Sequence, residues 1–584
     1  MPELNSVPVG FVYDLMSGPN RHIGDDSKTV TPRLHDATEH YRRHIATNQL
    51  SGEIGNANEE CSKVMALNLN DATAYNTRGI AYGEKGDFSR AIENFDAAID
   101  LKSDYVAAYF NRGLAYSELG DVVHAIKDFT RVVQLDPSYV VAYNNRGAAY
   151  DIQEKLDLAI ADYTKTIELN PNYSQPYNNR GVVYNKKGDF DSAIADFNNA
   201  IGLRHDDAEA YSNRGLAYLY KGDYDLSIAD FNRALELAPF LAGGYYNRGI
   251  AYSMKGDHDI AIADFTKAME HHEGDAETHY NRGVVCGMKG DYRRAIADFS
   301  VVIEMKPTDA RAYANRGMAY SNHGDYDRAI GDYTKAIVLK PDDADVYNNR
   351  GVAYGKKDNF DYAILDFTKA MELKPDDANT CNNRGVVYVK KGEYDLAIVD
   401  FNEAIRLKPH YADAYNNRGA AYSDQREFQR AIADFNKALE LKSDFGNAYY
   451  NRGEAWLHLG ERIKAKSDLK VAVAMGVNVV AAFHNLYESA LGFEKSNGLK
   501  LPDDIAAILT PQENAIRRKE FQERAVTLIE RLSTEELKVV IDYLLDLQNG
   551  EAQDTFHQLE IDAESALEEI LKNYDRAWKI LAKH

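Results

Sequence analysis

Three groups of side chains in this 584-residue sequence have the types and spacing to do chemistry. The first is a recurring Asn-Arg-Gly tripeptide. Its arginines are Arg78, Arg112, Arg146, Arg180, Arg214, Arg248, Arg282, Arg316, Arg350, Arg384, Arg418 and Arg452, each 34 residues after the last without insertion or deletion. The residue before is asparagine in eleven of the twelve units: Asn111, Asn145, Asn179, Asn213, Asn247, Asn281, Asn315, Asn349, Asn383, Asn417 and Asn451, with Thr77 in the first. A carboxamide carries both a donor and an acceptor, so a ladder of them can grip the backbone of an extended peptide whatever its side chains. A neighbouring position drifts freely (Thr73, Ala107, Val141, Gln175, Glu209), so duplication alone is a weak explanation for the constancy of asparagine.

The second group is acidic. Sixteen residues after each arginine stands Asp128, Asp162, Asp196, Asp230, Asp264, Asp298, Asp332, Asp366, Asp400, Asp434 or Asp468, with Asn94 in the first unit. If the chain reverses midway, the two positions lie at similar height on facing helices, which predicts an ion pair within each unit. Arginines already matched in this way are poor candidates for capturing a ligand carboxylate.

The third group is a central cluster of Tyr220, Tyr246 and Tyr280 with Leu216, Leu219, Ile250, Met254, Val284 and Met288. Flanking units carry Asn144, Asn178, Asn348, Asn382 and Asn416 where Tyr246 and Tyr280 stand. An aromatic and methionine-rich patch in a polar groove would be a hot spot for a partner; the same side chains could equally pack between units. Cys61, Cys286 and Cys381 are far apart, without C-x-x-C spacing, and fit core positions in a reducing compartment. His205, His258, His271, His272 and His279 crowd one region without an i, i+4 pair, so no metal or other cofactor is expected.

The elements that must position these groups follow from the same period. Each unit has two amphipathic stretches at helical period around a turn such as Lys221-Gly222-Asp223, where glycine supplies the positive φ that ends the first helix. The small residues Gly317 and Ala329 and their equivalents let the two helices approach closely, and Pro137, Pro171, Pro239, Pro307, Pro341, Pro375 and Pro409 stop the second helix. Forty tyrosines against two tryptophans fit one aromatic position copied many times.

The series Tyr313, Arg316-Gly317, Tyr320, Gly324, Ala329, Tyr333, Ala336, Pro341 resembles the tetratricopeptide repeat (TPR) over roughly residues 38–492, with Tyr for Trp and Arg for Leu. The array is similar to the TPR arm of O-GlcNAc transferase without its catalytic domain. The resemblance implies an all-α, right-handed superhelical solenoid in which the asparagine position faces a concave groove.

The expected organisation is an irregular 1–37, a degenerate first repeat at 38–71, twelve tandem units at 72–479, a partial repeat and linker at 480–510, and a helical C-terminal module at 511–584. In the degenerate repeat Tyr41 and Cys61 fall on aromatic positions. In the C-terminal module Ser533-Thr534-Glu535-Glu536 forms a capping box, and Leu567, Leu571, Tyr574, Trp578 and Leu581 form an apolar stripe. That stripe is a candidate for self-association.

Composition sets the classes excluded. With 91 acidic against 68 basic residues, the net charge of −23 opposes nucleic acid and anionic membranes. No sequence stretch reaches bilayer-spanning length, and a cytoplasmic location is expected. The segment after the repeats shows neither a phosphate loop nor a nucleophile beside a base, so the chain reads as non-enzymatic. The expected function is a protein-interaction scaffold holding extended segments of other proteins or peptides. The alternatives are a non-catalytic regulatory or targeting arm acting through the C-terminal helices, a spacer, and, disfavoured by the acidic surface, co-chaperone-type carboxylate binding.

Overall fold

The computed structural model describes residues 71–271 and 275–512. The expected segments 1–37 and 38–71 (apart from Asp71), with Cys61, and the C-terminal module beyond residue 512 lie outside the described residues, as does His272. The described residues fall into two compact bodies, 71–339 and 340–512.

The first body consists of eight helical hairpins, from Ala72–Glu84 with Phe88–Leu101 to Ala310–Asn322 with Tyr326–Leu339. The second has four, from Ala344–Lys356 with Phe360–Leu373 to Gly446–His458 with Arg462–Ala474, followed by the helices Val479–Tyr487, Ala490–Asn497 and Asp503–Leu509. Among the described residues there is no strand, and within each body consecutive helices pack in pairs, an all-α arrangement of stacked hairpins.

The local chemistry accounts for the hairpin. Asp87, Asp121, Asp189 and Asp291 cap second helices by accepting a hydrogen bond from a first-turn backbone N–H. The turn glycines are left-handed, with Gly222 at φ +87° and Gly256 at +91°. Where the unit lacks that glycine, Glu154, Asp358 and Arg426 adopt φ values of 57°, 57° and 62°. In eleven of the twelve hairpins the core is one aromatic ring of the second helix seated on the glycine of the first; in the last, Leu469 takes that place against Gly453. Phe95, Phe129, Phe197, Phe231, Phe265, Phe299, Phe367, Phe401 and Phe435 are fully buried. A Cβ added to Gly385 would sit 2.6 Å from the Phe401 ring, so only glycine leaves room for it.

After the last full hairpin the helical register breaks. The helix Val479–Tyr487 occupies the place of another first helix and ends at Glu488, φ 61°. The chain then folds back through Ala490–Asn497 and Asp503–Leu509, and Phe483, Phe493, Leu501, Ile505 and Leu509 close over Leu469 and Ala472. A terminal unit must cover a face that inner units bury against a neighbour.

Candidate functional site

In eleven of the twelve units the arginine makes the expected ion pair, with both bonds of the fork. Eleven arginines from Arg112 to Arg452 grip the aspartate of their own second helix with two parallel bonds, Nε to Oδ2 and Nη2 to Oδ1, at 2.6–3.0 Å. In the first unit Arg78 donates to the Asn94 carboxamide oxygen instead, at 2.5 Å. The aspartate side chains are buried: Asp128 is 3% and Asp400 4% exposed. Burial pushes the Asp128 and Asp196 carboxyls up, against the pull of the facing guanidinium. The bond from its aspartate holds Arg180, Arg214 and Arg384 above the ordinary arginine range, so the cation is fixed.

The third arm of the guanidinium reaches the preceding unit. Nη1 donates to Asp96 from Arg112, Thr130 from Arg146, Thr164 from Arg180, Asn198 from Arg214, Asn232 from Arg248, Thr266 from Arg282 and Ser300 from Arg316. In the second body Arg384 reaches Thr368, Arg418 reaches Asn402 and Arg452 reaches Asn436. One planar fork therefore ties two second helices to one first helix, which lysine could not do. A sequence signal for this exists in the tripeptide Asp-aromatic-polar, as in Asp128-Phe129-Thr130, and it ends at Asp468-Leu469-Lys470, beyond which no arginine follows at the next equivalent position.

The asparagines divide into two sets. Asn111, Asn213, Asn383, Asn417 and Asn451 donate Nδ2 to the carboxamide oxygen of Asn76, Asn178, Asn348, Asn382 and Asn416, at 2.9–3.2 Å. Each partner lies 35 residues back, on the first helix of the preceding unit. Asn281 and Asn315 donate at 2.7 Å to the hydroxyls of Tyr246 and Tyr280 in the same way. Asn281, Asn315, Asn383 and Asn417 are buried, so there the ladder joins unit to unit. By contrast Asn145, Asn179, Asn247 and Asn349 are half-buried and make no side-chain hydrogen bond among the described residues. For Asn145 and Asn247 the reason is legible: Phe110 and Ser212 stand 35 residues back, one without a polar group and one too short to span the gap.

The aromatic patch is corrected by the same geometry. Tyr280 is 1% exposed, its ring edge-on to Phe299 at 5.7 Å and covered by the Arg311 guanidinium at 4.7 Å. Tyr246 packs edge-on to Phe265 at 5.8 Å. Both tyrosines are spacers that reach the next unit's asparagine, because phenol is longer than carboxamide. Tyr280 is thereby part of the packing between units, while Tyr246 is half-buried and takes part in the same packing. Tyr220 is half-buried and stacked on Phe190 at 5.7 Å, and Leu216, Met254 and Met288 remain partly exposed against the neighbouring core cluster.

Sequence profiles described as TPR repeat match residues 81–120, 183–222, 322–358 and 387–426, and profiles described as tetratricopeptide repeat match 106–139, 140–173, 162–195, 208–241, 246–310, 299–331, 344–377 and 412–445. The chain belongs to the tetratricopeptide-repeat family. TPR domains are generally protein-binding scaffolds without catalysis of their own, and a protein-interaction scaffold is the coarse function of this chain. Among solved structures it is similar to MamA residues 41 to the end from Desulfovibrio magneticus RS-1, at 26% identity over 29% of this chain and 95% of that one, TM-score 0.28. It is also similar to YrrB, described as a TPR protein with an unusual peptide-binding site, at 26% identity over 33% and 97%, TM-score 0.30. Cut9–Hcn1, of the APC/C, matches at 18% identity over 78% and 94%, TM-score 0.36. A search of curated proteins gives no match.

The remaining reactive side chains serve the TPR core. Cys286 and Cys381 are fully buried at aromatic positions of their units, and burial pushes the thiols up to about 11 and about 12, which suppresses the nucleophilic thiolate. His279 Nδ1 lies 3.0 Å from Asp298 Oδ1, an extra contact on an aspartate already gripped by Arg282. Among the described residues no group of three His, Cys, Asp or Glu side chains is close enough to hold a metal, and no helix is long and apolar enough to cross a membrane.

The cap contains a cluster the sequence reading missed. The Tyr487 hydroxyl donates to Glu454 Oε1 at 2.6 Å and lies 3.0 Å from His458 Nε2. The imidazole stacks on Phe428 at 4.5 Å, with Phe493 at 5.5 Å. Burial, helped by Arg426, lowers His458 to about 4, while burial pushes Glu454 up. The signs oppose each other. Below about pH 6.5 the unfolded chain protonates His458 and the folded cap does not, so the histidine's contribution is present above that pH and lost on the way down to about 4. The raised Glu454 contributes stability at low pH that is lost as pH rises through its folded value. Comparison with His458→Phe, which keeps the stack, isolates the first effect. Amide protection of Val479–Tyr487, corrected for intrinsic exchange, is expected to fall in wild type relative to the variant between pH 7 and 5; parallel profiles would rule out this role for His458.

Proposed function

We propose that this TPR protein holds extended segments of other proteins in the groove lined by its first helices, with Asn145, Asn179 and Asn247 as the groups that grip backbone in the 71–339 body and Asn349 in the other. The observation that carries the reading is the division among the asparagines: most of the ladder is spent on joining units, while these four carboxamides keep donor and acceptor uncommitted at the same repeat position. A peptide backbone offers a matching acceptor and donor at each residue. Leu216, Met254 and Met288, partly exposed and conformationally adaptable, supply the apolar side of the site, with Tyr220 at its edge. The net charge of −23 favours a protein partner over nucleic acid. Catalysis forms no part of this reading. The test is selection of random extended peptides on the immobilised chain, followed by hydrogen exchange on the complexes. Protection concentrated on first helices, those from Val140 to Met288 in one body or Ala344–Lys356 in the other, supports the groove; protection confined to second helices overturns it.

A further inference from the structure

The tandem units provide an internal control for the outward face of the second helix. Two positions three residues apart lie there on one side. At the second of them Ala161, Ala195, Ala229, Ala263, Ala297 and Ala433 are small, even where the first is apolar, as at Leu226. Glu93, Lys127, Gly331 and Ser467 hold the remaining equivalents, so only two adjacent units of the twelve place a large apolar side chain there. Tyr362 with Leu365 on the helix Phe360–Leu373, and Leu396 with Val399 on Tyr394–Leu407, are 61%, 65%, 46% and 62% exposed. The two helices lie side by side, because the Arg384 guanidinium bonds Thr368 on one at 2.9 Å and Asp400 on the other at 2.7 Å and 2.8 Å. The four side chains thus form one apolar patch on the face opposite the first helices.

The size of the patch selects its occupant. At these exposures the four side chains present about 400–500 Å², within the range at which an apolar patch marks an interaction site. That is well short of the roughly 800 Å² each partner contributes to a standard interface, so two copies meeting patch to patch would not hold. It suits a single amphipathic helix. The chain carries one in its sequence: Leu567, Leu571, Tyr574, Trp578 and Leu581 fall on one stripe at helical spacing. Gln512, the last described residue, is 55 residues before Leu567, enough chain to span several units even at the helical rise of about 1.5 Å per residue. A tether also makes docking intramolecular, with an effective concentration on the order of mM.

We propose that the Leu567 to Leu581 stripe docks as a helix on the patch of Tyr362, Leu365, Leu396 and Val399 of its own chain. This goes beyond groove binding and does not depend on it.

The chain has two tryptophans, Trp456 and Trp578. Trp456→Tyr restores the residue found at the equivalent positions Tyr320 and Tyr422, leaving Trp578 as the only indole. In that full-length background Leu365→Ala with Val399→Ala returns both positions to the alanine of other units, and the helical circular dichroism should stay unchanged. Acrylamide quenching of Trp578 is then expected to rise several-fold in the double variant, with a red-shifted emission, and the protection in the parent should persist on dilution. Equal quenching in parent and double variant would overturn the proposal and leave the patch to another occupant. Protection that disappears on dilution would also overturn it, by assigning the helix to a second copy.

Discussion

Replacing Asp400 by alanine is expected to raise local opening of the units between Phe360 and Asp424 by about two to four orders of magnitude, corresponding to about 3–5 kcal/mol, the cost of leaving a buried charge without its partner. Asp400 is 4% exposed and accepts two bonds from Arg384, whose third arm holds Thr368 of the preceding unit. Removing the carboxylate strands the guanidinium at the junction of three helices. Because a repeat array need not unfold in one step, the measurement is residue-resolved hydrogen exchange and not a single melting temperature. Two comparisons fix the interpretation. The double change Arg384→Met with Asp400→Leu should recover most of the loss, since apolar side chains of similar volume replace a buried pair at little cost. Asp361→Ala, which removes the exposed partner of Lys391 at 2.8 Å, should change little. If Asp400→Ala proves as mild as Asp361→Ala, the fork does not hold the units together.

Gly385→Ala should destabilise the same region by about 1–3 kcal/mol despite the better helix propensity of alanine, because overpacking a filled core costs that much. The added Cβ would meet the Phe401 ring at 2.6, 2.9 and 3.0 Å, and Phe401 is fully buried. The last hairpin contains its own control: Gly453 faces Leu469, nearest atom 3.1 Å, so Gly453→Ala should cost less. Phe401→Leu introduced with Gly385→Ala should recover part of the loss. Urea titration followed by hydrogen exchange distinguishes these; equal effects at Gly385 and Gly453 would show that ring contact is not what fixes glycine there.

Much of this arrangement was legible in the sequence because a 34-residue period copies each contact. The Arg-Gly register, the aspartate sixteen residues on and the small residue at Ala329 together specify a helical hairpin with an ion pair across it. What escaped was contact between units. The third bond of each arginine depends on a polar residue sixteen positions earlier, where Asp, Thr, Ser and Asn alternate, so no single residue type marks it. Likewise the pairing of Asn315 with Tyr280 spans 35 residues, and the position of Tyr280 varies between asparagine, serine, alanine, phenylalanine and tyrosine along the array. The sequence left the groove surface and packing between units equally open at Tyr246 and Tyr280, because it does not show that a phenol there reaches the next unit's asparagine. The cap escaped for another reason: after Tyr487 the repeat pattern stops, and no repeated register marks Tyr487 as the partner of Glu454 and His458 or brings Phe493 against the imidazole.

The central claim is that carboxamides left free by the array bind peptide while those joining units do not, and it is tested most directly by affinity and exchange measured together on two variants. For a peptide selected on the wild-type chain, Asn179→Ala with Asn247→Ala is expected to weaken binding by at least about tenfold, equivalent to one lost net hydrogen bond of ~1.4 kcal/mol, with amide protection of the free protein unchanged. Asn315→Ala should instead lower protection around Tyr280, whose hydroxyl loses the bond from Asn315 at 2.7 Å. Undiminished binding by the double variant, or a loss of protection there as large as in Asn315→Ala, would contradict the account.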